Sequence, residues 1–145
     1  MENSKYGKYF KKEPIWDGEF APCISLKRSG GWEGLDFKLT WKCITEPHHL
    51  ETDPHAHDFD QVLCFLGGNP LNVKDFQAEV EFSLGEEQEK HIIDSTTLVF
   101  IPKGMIHCPL YFRKVAKPVV FMNIALTAEY SRSIGPPPPP MIKKY

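Results

Sequence analysis

His55-Ala56-His57 is the segment of this chain best suited to chemistry. In an extended strand, residues i and i+2 face the same side, roughly 6.6 Å apart along the chain. Two imidazoles so placed converge on one ion, with bonds of about 2.0–2.1 Å if it is zinc. Gln61 follows at the start of an apolar run, and its amide oxygen is a further candidate ligand. Much later, Pro102-Lys103-Gly104 stops another apolar run and His107 follows. Proline fixes φ and glycine permits positive φ, so this turn delivers the histidine into the next strand with a set geometry. The expected centre is one divalent ion per chain held by His55, His57, Gln61 and His107. Zinc, iron, manganese and nickel all remain open, since imidazole suits several metals.

Other polar side chains are weaker candidates. Glu79 and Glu81 alternate with Val80, Phe82 and Leu84. Either the apolar face fills the interior and the glutamates meet solvent, or the polar face is the interior. In the second case Glu81, preferred to Glu79, supplies a carboxylate as ligand or general base. Tyr111 lies four residues past His107, so strand parity points it to the same side, where it can donate to a bound oxyanion; a partly buried aromatic at the mouth is the plainer reading. The same parity points Cys108 away from the site. His48 and His49 read as exposed loop residues, and His91 as a solvated hairpin residue.

These residues must be positioned by strands. Phe37, Leu39, Trp41 and Cys43 alternate with Lys38, Thr40 and Lys42, the pattern of a half-buried strand. Gln61 to Leu66 is a short unbroken apolar run that reads as buried on both faces, closed by Gly67-Gly68. Ala78 to Leu84, Lys90 to Ile93, Thr97 to Ile101, His107 to Phe112 and Pro118 to Leu126 are further strands. Pro109 marks its strand as an edge or as bulged. Glu46 to His49 reads as a polar break. No stretch has helical periodicity beyond two turns. Short strands separated by Gly and Pro turns indicate an all-β sandwich or barrel.

The 145 residues make one domain's worth of chain. Residues 1–35 form an N-terminal arm or edge strands, 36–130 the barrel, and 131–145 a tail with five consecutive prolines, Pro136 to Pro140. A formal net charge of −2 gives no global field to attract nucleic acid or anionic lipid, despite a lysine-rich start. The N-terminus has no apolar signal-like core and no run is long enough for a membrane helix, so a cytoplasmic location is expected. The four cysteines are spread without a Cys-x-x-Cys pair and read as reduced thiols. Apolar outer strands and edges need covering, and residues 15–35 and the tail are long enough to cross a two-fold axis, so a homodimer is expected.

The two motifs together resemble the cupin superfamily. Its first motif, His-x-His then Glu then Gly, reads here as His55, His57, Gln61 and Gly68; its second, Pro-x-Gly-x-x-His, as Pro102, Gly104 and His107. The resemblance spans Phe37 to Leu126. It implies a cupin-type antiparallel double-stranded β-helix, a jelly-roll barrel with the metal inside. The chain departs from the pattern in four places. Gln61 stands in the Glu position, His49 and Thr96 where glycines usually open each motif, and Tyr111 where Asn often follows the second. Glutamine removes one negative charge, which favours a Lewis-acid metal acting on an anionic or enolisable substrate. Small cupins acting on sugar-acid products look similar. The resemblance therefore implies a metal-dependent isomerase or hydrolase acting on a small keto, enol or sugar-acid-like metabolite. An iron-dependent dioxygenase and a non-catalytic small-molecule sensor are the alternatives, since the fold hosts many functions.

Overall fold

The structure is a computed structural model that describes residues 4–26, 31–32 and 34–127. The Pro-rich tail, and the expectation placed on it, lies outside the described residues. After a 3-10 turn at Gly7–Tyr9 come ten strands. They are β1 Ile15–Trp16, β2 Cys23–Ser25, β3 Lys38–Ile44, β4 His48–Glu51 and β5 Gln61–Gly67, then β6 Ala78–Leu84, β7 Glu89–Ile93, β8 Thr97–Ile101, β9 His107–Val115 and β10 Val119–Ala125. Among the described residues no helix is long and apolar enough to cross a membrane.

The strands form two antiparallel sheets, ordered β1-β2-β3-β10-β5-β8 and β4-β9-β6-β7. From β3 onward the chain crosses between sheets at every step except the β6–β7 hairpin. That order is two interlocked Greek keys, a jelly roll. The all-β expectation holds strand by strand, with two differences. The polar break at His48-His49 is strand β4, because backbone pairing with β9 outweighs the polarity of its side chains. Pro109 sits in β9, which is central, so the edge reading fails and the bulged one holds: the register against β6 shifts between Phe82 and Leu84, and a bulge absorbs the proline.

The core fills the space between the sheets. Phe65, Phe82 and Phe112 are each at most 1% exposed, and the rings of Phe65, Phe112 and Phe121 pack tilted or edge-on with centroids 5.3–6.0 Å apart. Each buried phenylalanine contributes about 1.5–3 kcal/mol through apolar burial. Gly68 is set by close approach, because a Cβ there would lie 2.5 Å from the Pro118 carbonyl oxygen.

Register decides which half of each strand meets the interior. Phe121 pairs with Lys42 and Phe65, and Asn123 with Thr40 and Leu63, so these face inward. The apolar half of β3, Leu39, Trp41 and Cys43, therefore faces outward. So do Val62, Cys64 and Leu66; Cys64 is 6% exposed and the other two are half-buried, so β5 is buried on its inner face and partly covered on its outer one. Polar inward positions on this sheet line the end of the barrel where the histidines lie. All four cysteines are free thiols. Burial raises the pKa of the Cys43 and Cys64 thiols above the ordinary value.

Candidate metal centre

The three motif histidines meet. His55, His57 and His107 are 2%, 3% and 2% exposed, and their ring centroids are 4.8, 4.5 and 4.9 Å apart pairwise. Backbone pairing assembles them. His55 N–H donates to His107 O at 3.0 Å and His107 N–H to His55 O at 2.9 Å, an isolated antiparallel bridge. Gly104 N–H donates to His57 O at 2.8 Å. The Pro102 turn closes with Met105 N–H donating to Pro102 O at 3.0 Å, and Gly104 takes φ +84°, a value that glycine adopts without strain.

Ring orientation is fixed from behind. His55 Nδ1 donates to Asp53 O at 2.6 Å and His107 Nδ1 to Met105 O at 3.0 Å. A carbonyl on Nδ1 selects the tautomer whose Nε2 lone pair is available to a cation. Gln61 is also buried, and its Nε2 donates to Asn123 Oδ1 at 2.7 Å. That bond commits the amide nitrogen and leaves the carbonyl oxygen as the atom of Gln61 able to act as a ligand. His55 and His107, buried and with Nε2 turned away from these carbonyls, offer donors of the kind a divalent transition metal takes, and the ring of His57 lies beside them.

The second ligand-capable feature was not expected. The donor atoms of His55, His107 and Cys108 all lie within 4.8 Å of one another, and this buried group could hold a metal ion. Parity would send Cys108 the other way. Its φ of +82° and the β9 bulge break the alternation, so Cys108 shares the side of His107. The sequence signal was the Cys-Pro pair directly after the histidine.

The bulge also moves Tyr111. Past it, Leu110 and Phe112 point into the core and Tyr111 points out, where its ring stacks on His49 at 3.8 Å and 4°. Tyr111 is therefore not brought to the histidines. Glu81 is not either. Val80 and Phe82 fill the interior, and Glu81 lies on the opposite face, 2.7 Å from Arg113 and 3.7 Å from Lys90. Arg113 bridges Glu81 and Glu79 together. Desolvation raises the Glu79 carboxyl, but its bonds to Arg113 and Lys114 outweigh it and hold the pKa below the ordinary value. A catalytic role for either is thus corrected: a bulge turns Tyr111 away, and of the two readings of the Glu79–Glu81 strand the apolar-inward one holds, which leaves Glu81 outside. His91 pairs with Glu89 at 2.6 Å and is half exposed, while His48 lies 3.3 Å from Glu19.

A cavity of about 300 Å³ opens onto His55 and His107. Its lining includes His55, Gln61, His107 and Cys108, apolar Leu63 and Phe121, and the charged residues Glu19, Lys42 and Glu51. Glu51 is 8% exposed and was missed at the sequence level. The register of β4 against β9 shifts between His49 and Glu51, which turns this carboxylate inward. Simple alternation does not reveal it.

No protein-family model matches the sequence, and no curated protein is similar to it. Among solved structures, the polyketide cyclase RemF from Streptomyces resistomycificus is similar at a TM-score of 0.49 and 15% identity, over 85% of this chain and 69% of that one. A Cupin 2 conserved barrel domain protein from Salinispora arenicola CNS-205 gives 0.48 and 11%, over 82% and 86%. A cupin-like protein (tm1010) from Thermotoga maritima gives 0.47 and 13%, over 74% and 68%. Likenesses this weak carry no argument, and the fold stands on the chain's own strand order. That order is the cupin-type double-stranded β-helix.

Proposed function

We propose that the chain binds one divalent metal ion through His55, His57 and His107, with Gln61 or Cys108 adding a further ligand. We further propose that it catalyses proton transfer on a small keto, enol or sugar-acid-like compound. The observation that carries this reading is a buried carboxylate, Glu51, lining the same cavity as His55 and His107.

When bound, the metal would act as a Lewis acid that polarises a carbonyl oxygen. The chain's residues supply the rest. Lys42, on the cavity wall, holds the anionic end of the substrate. Leu63 and Phe121 form a dry wall that strengthens each electrostatic contact. Glu51 takes the proton from the carbon next to the carbonyl and returns it to the neighbouring position, so the net change is isomerisation. The cavity of about 300 Å³ suits a small metabolite rather than a polymer.

The test begins with elemental analysis of the purified chain and of His57→Ala and His107→Ala, both expected to lose most bound metal. If either variant kept a full complement, the ligand set would be wrong. Metal-loaded protein is then mixed with a panel of small keto acids in deuterated water, and exchange of the α-proton is followed by NMR. Exchange that disappears in metal-loaded Glu51→Gln supports the reading. Full metal loading with substrate-dependent oxygen uptake and no exchange would favour the dioxygenase. Tight binding without either reaction would favour a sensor.

A further inference from the structure

A second cavity adjoins the metal cavity. The two sheets are unequal, six strands against four, and β1 and β2, at one edge of the larger, have no counterpart in the smaller. Register sets Trp16 opposite Cys23 and Ser25 opposite Thr40, so these four share the inner face that Lys42 continues. This face and the loop 17–22, which joins β1 to β2, border a space of about 210 Å³. Glu19, Thr40, Lys42, His48 and Leu50 line both this space and the metal cavity, so the two lie side by side on a shared wall. The loop is held against β4, since the Phe20 ring packs edge-on to His48 at 5.0 Å and Glu19 lies 3.3 Å from the same imidazole. Trp16, Phe20, Ala21 and Cys23 line the second space alone.

We infer that this annexe is a subsite for an uncharged aromatic group, and that the compound acted on at the metal carries such a group beside its keto or enol head. The inference rests on the proposed function for its metal end and names the substrate class of that site. Size and lining decide the class. An apolar cavity of about 150 Å³ already takes benzene, and about 210 Å³ leaves room for a phenyl ring and its link to the head. The indole of Trp16 and the ring of Phe20 give a flat occupant surfaces to stack on or meet edge-on. An ionic tail is opposed in either sign. Asp17 repels an anion, Lys42 repels a cation, and Glu19 already lies beside His48. Lys42, on the shared wall, is placed to hold the anionic head while the ring passes beyond it.

Calorimetric titration of the metal-loaded full chain with pyruvate and with phenylpyruvate tests it. Phenylpyruvate should bind about ten- to a hundredfold more tightly, the gain from burying one phenyl group. Cys23→Phe fills the annexe with a ring of its own, and Trp16→Ala removes a wall; neither residue lines the metal cavity. Trp16 is 41% exposed, so its variant disturbs the core least. In each variant the preference for phenylpyruvate should fall about fivefold or more, while metal content and pyruvate affinity match the unchanged chain. Equal affinity for the two keto acids overturns the inference, as does a preference that survives both substitutions. A branched aliphatic keto acid, the one derived from leucine, that binds as tightly as phenylpyruvate overturns the aromatic class. Each of these results leaves pyruvate binding and its proton exchange standing, and so spares the proposed chemistry. A metal-loaded chain that binds neither keto acid overturns both.

Discussion

Replacing Asn123 with alanine tests whether the amide pair behind the histidines belongs to the metal centre. Asn123 Oδ1 accepts from Gln61 Nε2 at 2.7 Å, and Gln61 is 2% exposed, so only water within the cavity could stand in for the lost acceptor. Stranding a buried donor costs about 1–3 kcal/mol of folding stability. The larger consequence concerns aim. Asn123 lies on β10 opposite Leu63, so a neighbouring strand, not Gln61's own, holds the amide plane. Loss of a partner that orients a ligand typically lowers metal affinity about 10- to 100-fold. Competition against a chelator of known affinity measures that number, with thermal melting run alongside to register the folding cost. Gln61→Ala should fall in the same range, and both should fall short of the near-complete loss expected for His107→Ala, because an amide oxygen is the poorest donor of the set. If both amide variants bind within about twofold of the unchanged chain while remaining folded, the Gln61–Asn123 pair is only core structure and the ligand set lies elsewhere.

Other outcomes follow from side-chain placement. Glu51→Gln should lower turnover about 10²- to 10⁴-fold with metal content unchanged, whereas Glu81→Gln and Tyr111→Phe, on the far face, should leave both intact in steady-state assays. Gly68→Ala puts a Cβ 2.5 Å from the Pro118 carbonyl oxygen, a backbone atom with little room to yield; overpacking of about 1–3 kcal/mol should appear as a lower urea midpoint. Glu79 gives a pH signature. Its folded pKa lies below the ordinary 4.5, so its stabilisation is present above that value and is lost as pH falls through the lower folded value. The stability difference between the unchanged chain and Arg113→Met should therefore be larger at pH 7 than at pH 3, and equal differences at the two would remove Glu79 from the account.

Much of this molecule is legible in its sequence because alternation and turn chemistry are local. Ala78 to Leu84 and Thr97 to Ile101 form strands at the expected bounds, and the Pro102-x-Gly104 turn sets His107 against His55. What is not legible has one recurrent cause. A bulge inserts a residue, and every parity inference beyond it inverts. The bulge in β9 turned Cys108 toward the histidines and Tyr111 away, and the shift in β4 brought Glu51 inside. Glu81 had a different reason. Alternation names two faces without saying which is interior, and that is settled only when Phe82 and Phe112 compete for the same space. The same ambiguity hid the outward direction of Trp41 and its row.

The reciprocal bridge between His55 and His107 has a consequence for loading. Main-chain bonds, not the ion, hold these two imidazoles side by side, and carbonyls hold their rotation. Under the proposed metal site, the chain's own hydrogen bonds would shape the centre, unlike a zinc finger, whose collapse needs the metal. Stripping the ion with a chelator should empty the barrel without melting it, and refilling becomes a simple capture event with no ordering of chain to oppose it. Identity of the resident ion then follows supply and fit at the rim rather than the history of folding.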